Sequence, residues 1–297
     1  MKFRFLIPVI LIALFAGCSK TGTESNPAPP HTDTTTEVPP DTSTLLKTSR
    51  IYNFDAAGTT ITDSSLYQWS YDNQRRILQQ SFQGSGYDAT FNYTYLSDRY
   101  TNSSVANLNG SLVLKNDVTY FQHTAGKTDS ILSSATGYGV QAGYVSKVIT
   151  YFYYNQAGQD SLESSYDITN GVPVLFTTVN KYYTGNNLDS ASLRDGQGNL
   201  NSTTHYSGGN PVSSTSFTNN IPVSTLSSTY LDISSGGLFV MLGTSKLRDT
   251  YTSTTLPATI TFMETNSYEF DSANRVVLVT RDHHGYGNNQ KEVYTWY

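Results

Sequence analysis

From about residue 48 to the end, apolar and polar positions alternate in pairs, and no window sustains the three-to-four spacing of an amphipathic helix. Tyr67, Trp69 and Tyr71 alternate with Leu66, Gln68 and Ser70, and Phe91, Tyr93 and Tyr95 alternate with Asn92, Thr94 and Leu96. Side chains two apart on an extended chain share a face, so each run predicts a strand with one aromatic face. Lys147, Ile149, Tyr151 and Tyr153 alternate with Val148, Thr150, Phe152 and Tyr154, which makes that strand apolar on both faces and places it centrally in a sheet.

Between the runs lies a recurring turn signal. A type I turn followed by a left-handed residue favours Asp or Asn first, whose side chain accepts a backbone amide two residues on, and Gly or Asn three residues later. Asp55 with Gly58, Asn107 with Gly110, Asn155 with Gly158, Asp167 with Asn170 and Gly171, Asp195 with Gly198 and Asp271 with Asn274 all fit. Asp72 opens a seventh, with Arg75 at the left-handed position. Turn signals every 10–15 residues predict on the order of 16 strands joined by short loops. Each hairpin buries little alone, so residues 48–297 form a single all-β repeat domain. The expected fold is a large, twisted antiparallel meander, curved into a trough or half-barrel or folded into a two-layer arrangement. Within Ser234 to Thr255, Gly236-Gly237 and Leu238 to Leu242 read as a strand or as a loop packed into the concave face.

Composition agrees with a strand-rich chain: aromatic residues make up 13% and charged residues only 14% of the 297. A net charge of −5 argues against nucleic acid and anionic membrane surfaces as electrostatic partners. Residues 1–17 differ from the rest, with a basic start (Lys2, Arg4), an apolar run from Phe5 to Phe15, and Ala16-Gly17 before Cys18. That is an export signal, too short and too interrupted by Pro8 to span a bilayer. Residues 18–47 hold five prolines among Ser and Thr and form a disordered tether. Cys18 is the only cysteine, which excludes an intrachain disulfide.

Phe15-Ala16-Gly17-Cys18 resembles the lipobox of bacterial lipoproteins. The resemblance implies cleavage before Cys18, a lipid on its sulfur, and attachment to the outer membrane, on its periplasmic or cell-surface face. The aromatic-aromatic-Asp turn followed by Arg or Asn and an aliphatic residue resembles the YD repeat of RHS-type proteins, best at Tyr268 to Val276, Tyr71 to Ile77 and Tyr52 to Gly58. The chain is similar to small YD-like lipoproteins of Bacteroidota, a family that implies a fold and no activity. Asp followed by Ser or Thr and a small or aliphatic residue resembles the O-glycosylation sites of Bacteroidota. It marks Thr34, Ser130, Ser161, Ser190 and Ser272, although Asp-Ser is also ordinary turn chemistry.

No catalytic motif, metal-ligand spacing or cofactor signature stands out. His283 and His284 are adjacent, so on a strand they point to opposite faces and share no metal. Asp195-Gly196-Gln197-Gly198-Asn199 lacks the further acids of a calcium loop. Carboxylate pairs for glycoside hydrolysis come from anywhere in an all-β chain, and nothing nominates two of the 23 acids. The leading expectation is a non-catalytic binding module for a glycan or another cell-envelope component, with Tyr67, Trp69 and Tyr71 as its aromatic patch. The same alternation also describes a core face. A structural role through a sheet edge at Lys291 to Tyr297 comes second, and a secreted hydrolase third.

Overall fold

The computed structural model describes residues 45–55, 57–122, 127–234, 246–284 and 289–297. The first nine strands are β1 (Leu46–Phe54), β2 (Ile61–Tyr71), β3 (Ile77–Gly84), β4 (Tyr87–Tyr95), β5 (Arg99–Leu108), β6 (Ser111–Gln122), β7 (Thr128–Gly137), β8 (Val145–Tyr154) and β9 (Asp160–Asp167). The second nine are β10 (Val174–Thr184), β11 (Asn187–Asp195), β12 (Leu200–Ser207), β13 (Asn210–Thr218), β14 (Ile221–Ser234), β15 (Lys246–Thr255), β16 (Ile260–Phe270), β17 (Val276–Asp282) and β18 (Gln290–Trp296). All belong to one 18-stranded sheet. Each strand pairs antiparallel with the next, and β18 returns to pair with β1.

The fold is therefore a closed antiparallel barrel. The expected all-β antiparallel meander is present, and it goes beyond a curved sheet, half-barrel or two-layer arrangement by closing on itself. The long-range pairing that closes it, from Thr48↔Thr295 to Asn53↔Gln290, leaves no local trace in the sequence. It also removes the free edge expected at Lys291 to Tyr297, because β18 is paired on both sides.

The predicted three-residue turns form as their chemistry requires. Gly58, Gly158 and Gly198 sit at positive φ, as do Arg75 and Asn274. The carboxylates of Asp72 and Asp271 accept the amides of Arg76 and Arg275 and pair with their guanidinium groups. Two predicted turns shift in register. Asn107 lies inside β5, bonded to Asp88, and the turn is Asn109-Gly110, both at positive φ. In the β9–β10 connection the bonded turn runs from Ile168 to Gly171. Ser85-Gly86, Gly208-Gly209 and Asn219-Asn220 likewise close two-residue hairpins with both residues at positive φ, the mirror-image turns that match strand twist.

Even-to-odd connections gather at one end of the barrel, where the chain also enters at Leu46 and leaves at Tyr297; odd-to-even connections gather at the far end. Just inside the entry end most odd strands carry a β-bulge, with Lys47, Leu78, Asp129, Ser161, Asp189, Val212, Asp249 and Val277 as the extra residues. A bulge breaks the ladder locally and frees a backbone group. In seven cases an aromatic side chain at the end of the following even strand takes up the carbonyl just before the bulge. The Tyr71 hydroxyl donates to Leu46 O, Tyr95 to Ile77 O, Tyr154 to Thr128 O, Tyr183 to Asp160 O, Tyr230 to Pro211 O and Tyr268 to Arg248 O, while the Trp296 indole donates to Val276 O, at 2.5–2.9 Å. Three of these rings also carry a cation from the preceding odd strand or its turn: Arg76 over Tyr95, Lys127 over Tyr154 and Arg275 over Trp296.

Opposite residues of an antiparallel pair share a face, so the register carries one inner face around the ring. It includes Ser49, Trp69, Ala89, Ala106, Val118, Val279, Glu292 and Tyr294, all buried. Leu46, Trp69, Leu247, Val276, Val279 and Tyr294 form one cluster, joining strands up to five places apart on the ring near the entry end. Ala89, Ala106 and Val113 form a second on the β4–β6 wall.

The aromatic caps carry a measurable consequence. Tyr154→Phe and Tyr183→Phe should each lower the unfolding free energy by about 1–2 kcal/mol, because each strands a partly buried carbonyl. Urea denaturation reads this directly; losses no larger than for Tyr182→Phe, whose ring is exposed, would mean that the caps contribute nothing.

Candidate functional site

The inner wall has two halves of different chemistry. From β2 to β6 it carries packed aromatic rings: Tyr67 stacks with Trp69 and meets Phe82 at a tilt, Phe82 meets Tyr87 likewise, and Tyr100 stacks with Tyr120 at 4.1 Å between ring centres. From β12 to β14 the inward positions include a run of small polar residues, Ser202, Thr204, Ser214, Ser216 and Ser224, alongside Tyr206 and Leu226. A ring of this strand number encloses more space than its side chains fill unless the wall packs across it. The cluster around Trp69 does so on the β15–β2 side; no comparable cluster of buried hydrophobic residues covers the Ser/Thr side among the described residues.

On the wall of β9 and β10, Lys181 Nζ lies between Asp160, at 2.5 Å, and Glu163. The two acids are three apart in sequence and would point to opposite faces of a regular strand. The bulge at Ser161 adds a residue and brings both to the inner face. Burial pushes the Asp160 carboxyl up to about 6; Glu163 adds to the rise and the bond from Lys181 opposes it. Burial works against the Lys181 charge, but Glu163 and Asp160 outweigh it and hold the ammonium above its usual range. Asp160 Oδ1 is buried without a hydrogen-bond partner. Burial also raises the Tyr154, Tyr183 and Tyr206 phenols around the cluster.

Half a turn around the ring, the β17–β18–β1 seam holds the second charged group. Glu292 is 1% exposed, accepts from the Ser49 hydroxyl and pairs with Arg281 at 2.6 Å. His283 Nε2 lies 3.3 Å from Glu264, whereas His284 turns the other way to Thr265. The adjacent histidines thus serve separate faces. Among the described residues no group of three or more His, Cys, Asp or Glu is placed to hold a metal ion.

The predicted aromatic patch lies on the inner face. Trp69 is 3% exposed and part of the larger core cluster, against which Tyr67 and Tyr71 also pack; the three rings present no stripe on the outer wall. Ser130, Ser161 and Ser190 lie at or beside the bulges of β7, β9 and β11, and Ser161 donates to Tyr153 O. Ser272 is exposed in the turn before β17. Cys18, Thr34 and the whole of the Gly236 to Leu242 stretch lie outside the described residues, as do residues 1–17 and nearly all of the tether. Sequence reasoning missed Asp160, Glu163 and Lys181, since the bulge that unites the acids has no signature beyond Asp-Ser at a strand start.

The outer wall mixes polar contacts with exposed apolar side chains, Tyr151, Tyr153, Tyr182, Met263 and Val293 among them. Gln79 bonds Asn92 at 2.9 Å, Asn107 bonds Asp88, Lys115 and Asp117 are exposed, and Thr254 faces Thr261.

No family model matches the chain, and no curated protein matches it. Among solved structures, a porin-like protein from Bacteroides uniformis aligns with TM-score 0.40 and 12% identity over 86% of this chain and 98% of that one. A porin-like protein from Bacteroides vulgatus aligns with TM-score 0.42 and 10% identity over 84% and 98%. At these scores the likenesses carry no weight for fold or function.

Asp160 makes stability depend on pH with a definite sign. Its folded-state pKa of about 6 exceeds the ordinary 3.8, so between these values the folded state binds more protons and stability falls as pH rises from about 4 to about 6. Carboxylates held below 3.8, such as Asp72 and Asp271, act in the opposite direction and at lower pH. Urea midpoints at pH 4, 5, 6 and 7 should show the fall in the natural chain and its loss in Asp160→Asn; equal slopes would contradict the assignment.

Proposed function

We propose that the chain is an outer-membrane lipoprotein, tethered through lipid on Cys18, whose barrel is a non-catalytic binding module for a glycan or another envelope component. The observation that carries this reading is the closed ring with an inner wall of phenols, hydroxyls and the Lys181 cluster. A few fixed polar groups beside aromatic surface are what small-molecule and sugar sites share. The likeness to YD-repeat lipoproteins belongs to the same proposal, and the Asp72–Arg76 and Asp271–Arg275 turns are the residues that support it. Assembly through a sheet edge is weaker, because every described strand is paired on both sides. A hydrolase reading has Asp160 and Glu163 to draw on, but Lys181 occupies the space between them.

Thermal shift against polysaccharides, peptidoglycan fragments, lipopolysaccharide and fatty acids tests the proposal. A ligand at a hundredfold excess over its Kd adds about 2.7 kcal/mol, which raises the midpoint of a domain this size by roughly 5–10 °C. Ser216 faces inward and Thr215 outward. Ser216→Trp should remove the shift and Thr215→Trp should leave it. A flat screen, or equal effects of the two variants, would sink the luminal binding reading.

A further inference from the structure

We propose that a groove at the far end of β9–β12 is a subsite for one neutral hexose unit of a glycan. This rests on the binding reading above and adds a ligand class and a second place on the barrel. The groove is a cavity of about 290 Å3 between the start of β10 and the β11–β12 turn, lined by Val174, Leu175 and Phe176 on one side and Asp195 and Gln197 on the other. That volume is at the lower limit of small-molecule sites, about 300 Å3, and so suits one sugar ring rather than a chain.

Phe176 is the extra residue of a β-bulge, since Leu175 pairs with Tyr166 and Thr177 with Ser165. The bulge takes its ring out of the alternation of β10, where it packs in no core cluster and stays 54% exposed. Gly196 sets the depth of the groove. A Cβ there would collide with the Leu175 carbonyl, so the turn lies directly against the strand and forms a wall beside the ring.

Fixed acceptors line the same groove. Asp195 Oδ1 receives the amides of Gln197 and Asn199 at 2.9 and 2.8 Å, and its Oδ2 the Asn199 side chain at 2.9 Å. Asp167, on the same groove, receives the Thr169 amide at 2.8 Å. Bonds from Asn199 and from Thr169 hold the two carboxyls below their ordinary range, so both stay acceptors. An apolar ring face beside oriented acceptors matches a pyranose, whose C–H face stacks on an aromatic while its hydroxyls donate. A cationic peptide fits less well. Arg194 brings positive charge to the turn, donating to Gly198 O at 2.9 Å.

The test is titration of the full chain in detergent with methyl glycosides of glucose, galactose, mannose and N-acetylglucosamine, read by saturation-transfer NMR and calorimetry. At least one glycoside should bind. Phe176→Ala should weaken it about tenfold, the loss of one aromatic contact, and Gln197→Ala should weaken it less. Thr215→Trp on the outer wall should leave it unchanged, and urea midpoints should confirm that each variant folds. Glycoside binding untouched by Phe176→Ala would overturn the groove assignment, as would binding of a lysine-rich peptide here with no glycoside binding. If polysaccharide shifts the natural chain but no glycoside binds, the groove fails while the luminal reading stands; if nothing binds, both fail.

Discussion

A β-bulge frees a backbone carbonyl, and in this barrel an aromatic side chain from the next strand takes it up. That pairing recurs from Tyr71 on Leu46 to Trp296 on Val276, and it accounts for much else. The bulges bend and twist a sheet too large to lie flat. The aromatic caps fix those bends in place with partly buried hydrogen bonds, and the Asp-to-Arg turns at Asp72 and Asp271 hold the neighbouring loops. Closure follows from curvature accumulated over many strands, completed by the buried Ser49–Glu292–Arg281 contact that ties β1, β17 and β18 together.

The same device places chemistry. An extra residue at Ser161 reverses the parity of β9 and sets Asp160 beside Glu163 on the inner wall. An extra residue at Phe176 turns a ring outward at the far rim. Bulges are costly in ladder hydrogen bonds, and here they sit where side chains are redirected toward the lumen or the rim. The pattern is consistent with a barrel whose wall is a scaffold and whose polar groups on the inner wall and far rim do the recognising.

Local chemistry was legible in the sequence; long-range chemistry was not. The turns at Asp55, Asn155, Asp195 and Asp271 were readable because an Asp or Asn side chain and a left-handed residue act within four positions. Asn109-Gly110 was misassigned to Asn107 because a two-residue hairpin obeys a different spacing. Strand alternation marked Tyr67, Trp69 and Tyr71, but alternation says that residues share a face and not which face. Serine and threonine on both faces of β12–β15 blur the contrast further. Ring closure was illegible for a stronger reason, since Thr48 and Thr295 are paired by the summed curvature of everything between them. The Asp160–Glu163–Lys181 cluster depends on a bulge, which a strand-parity reading cannot anticipate.

The central claim is that the sheet closes on itself, and a designed cross-link tests it most directly. Thr48 and Thr295 face each other across β1 and β18 with their hydroxyl oxygens 2.5 Å apart. In a chain carrying Cys18→Ser, Thr48→Cys with Thr295→Cys should form an intrachain disulfide under mild oxidation when folded, and much less readily in urea. Two thiols that stay separately reactive in the folded chain would show an open sheet and contradict the closed barrel.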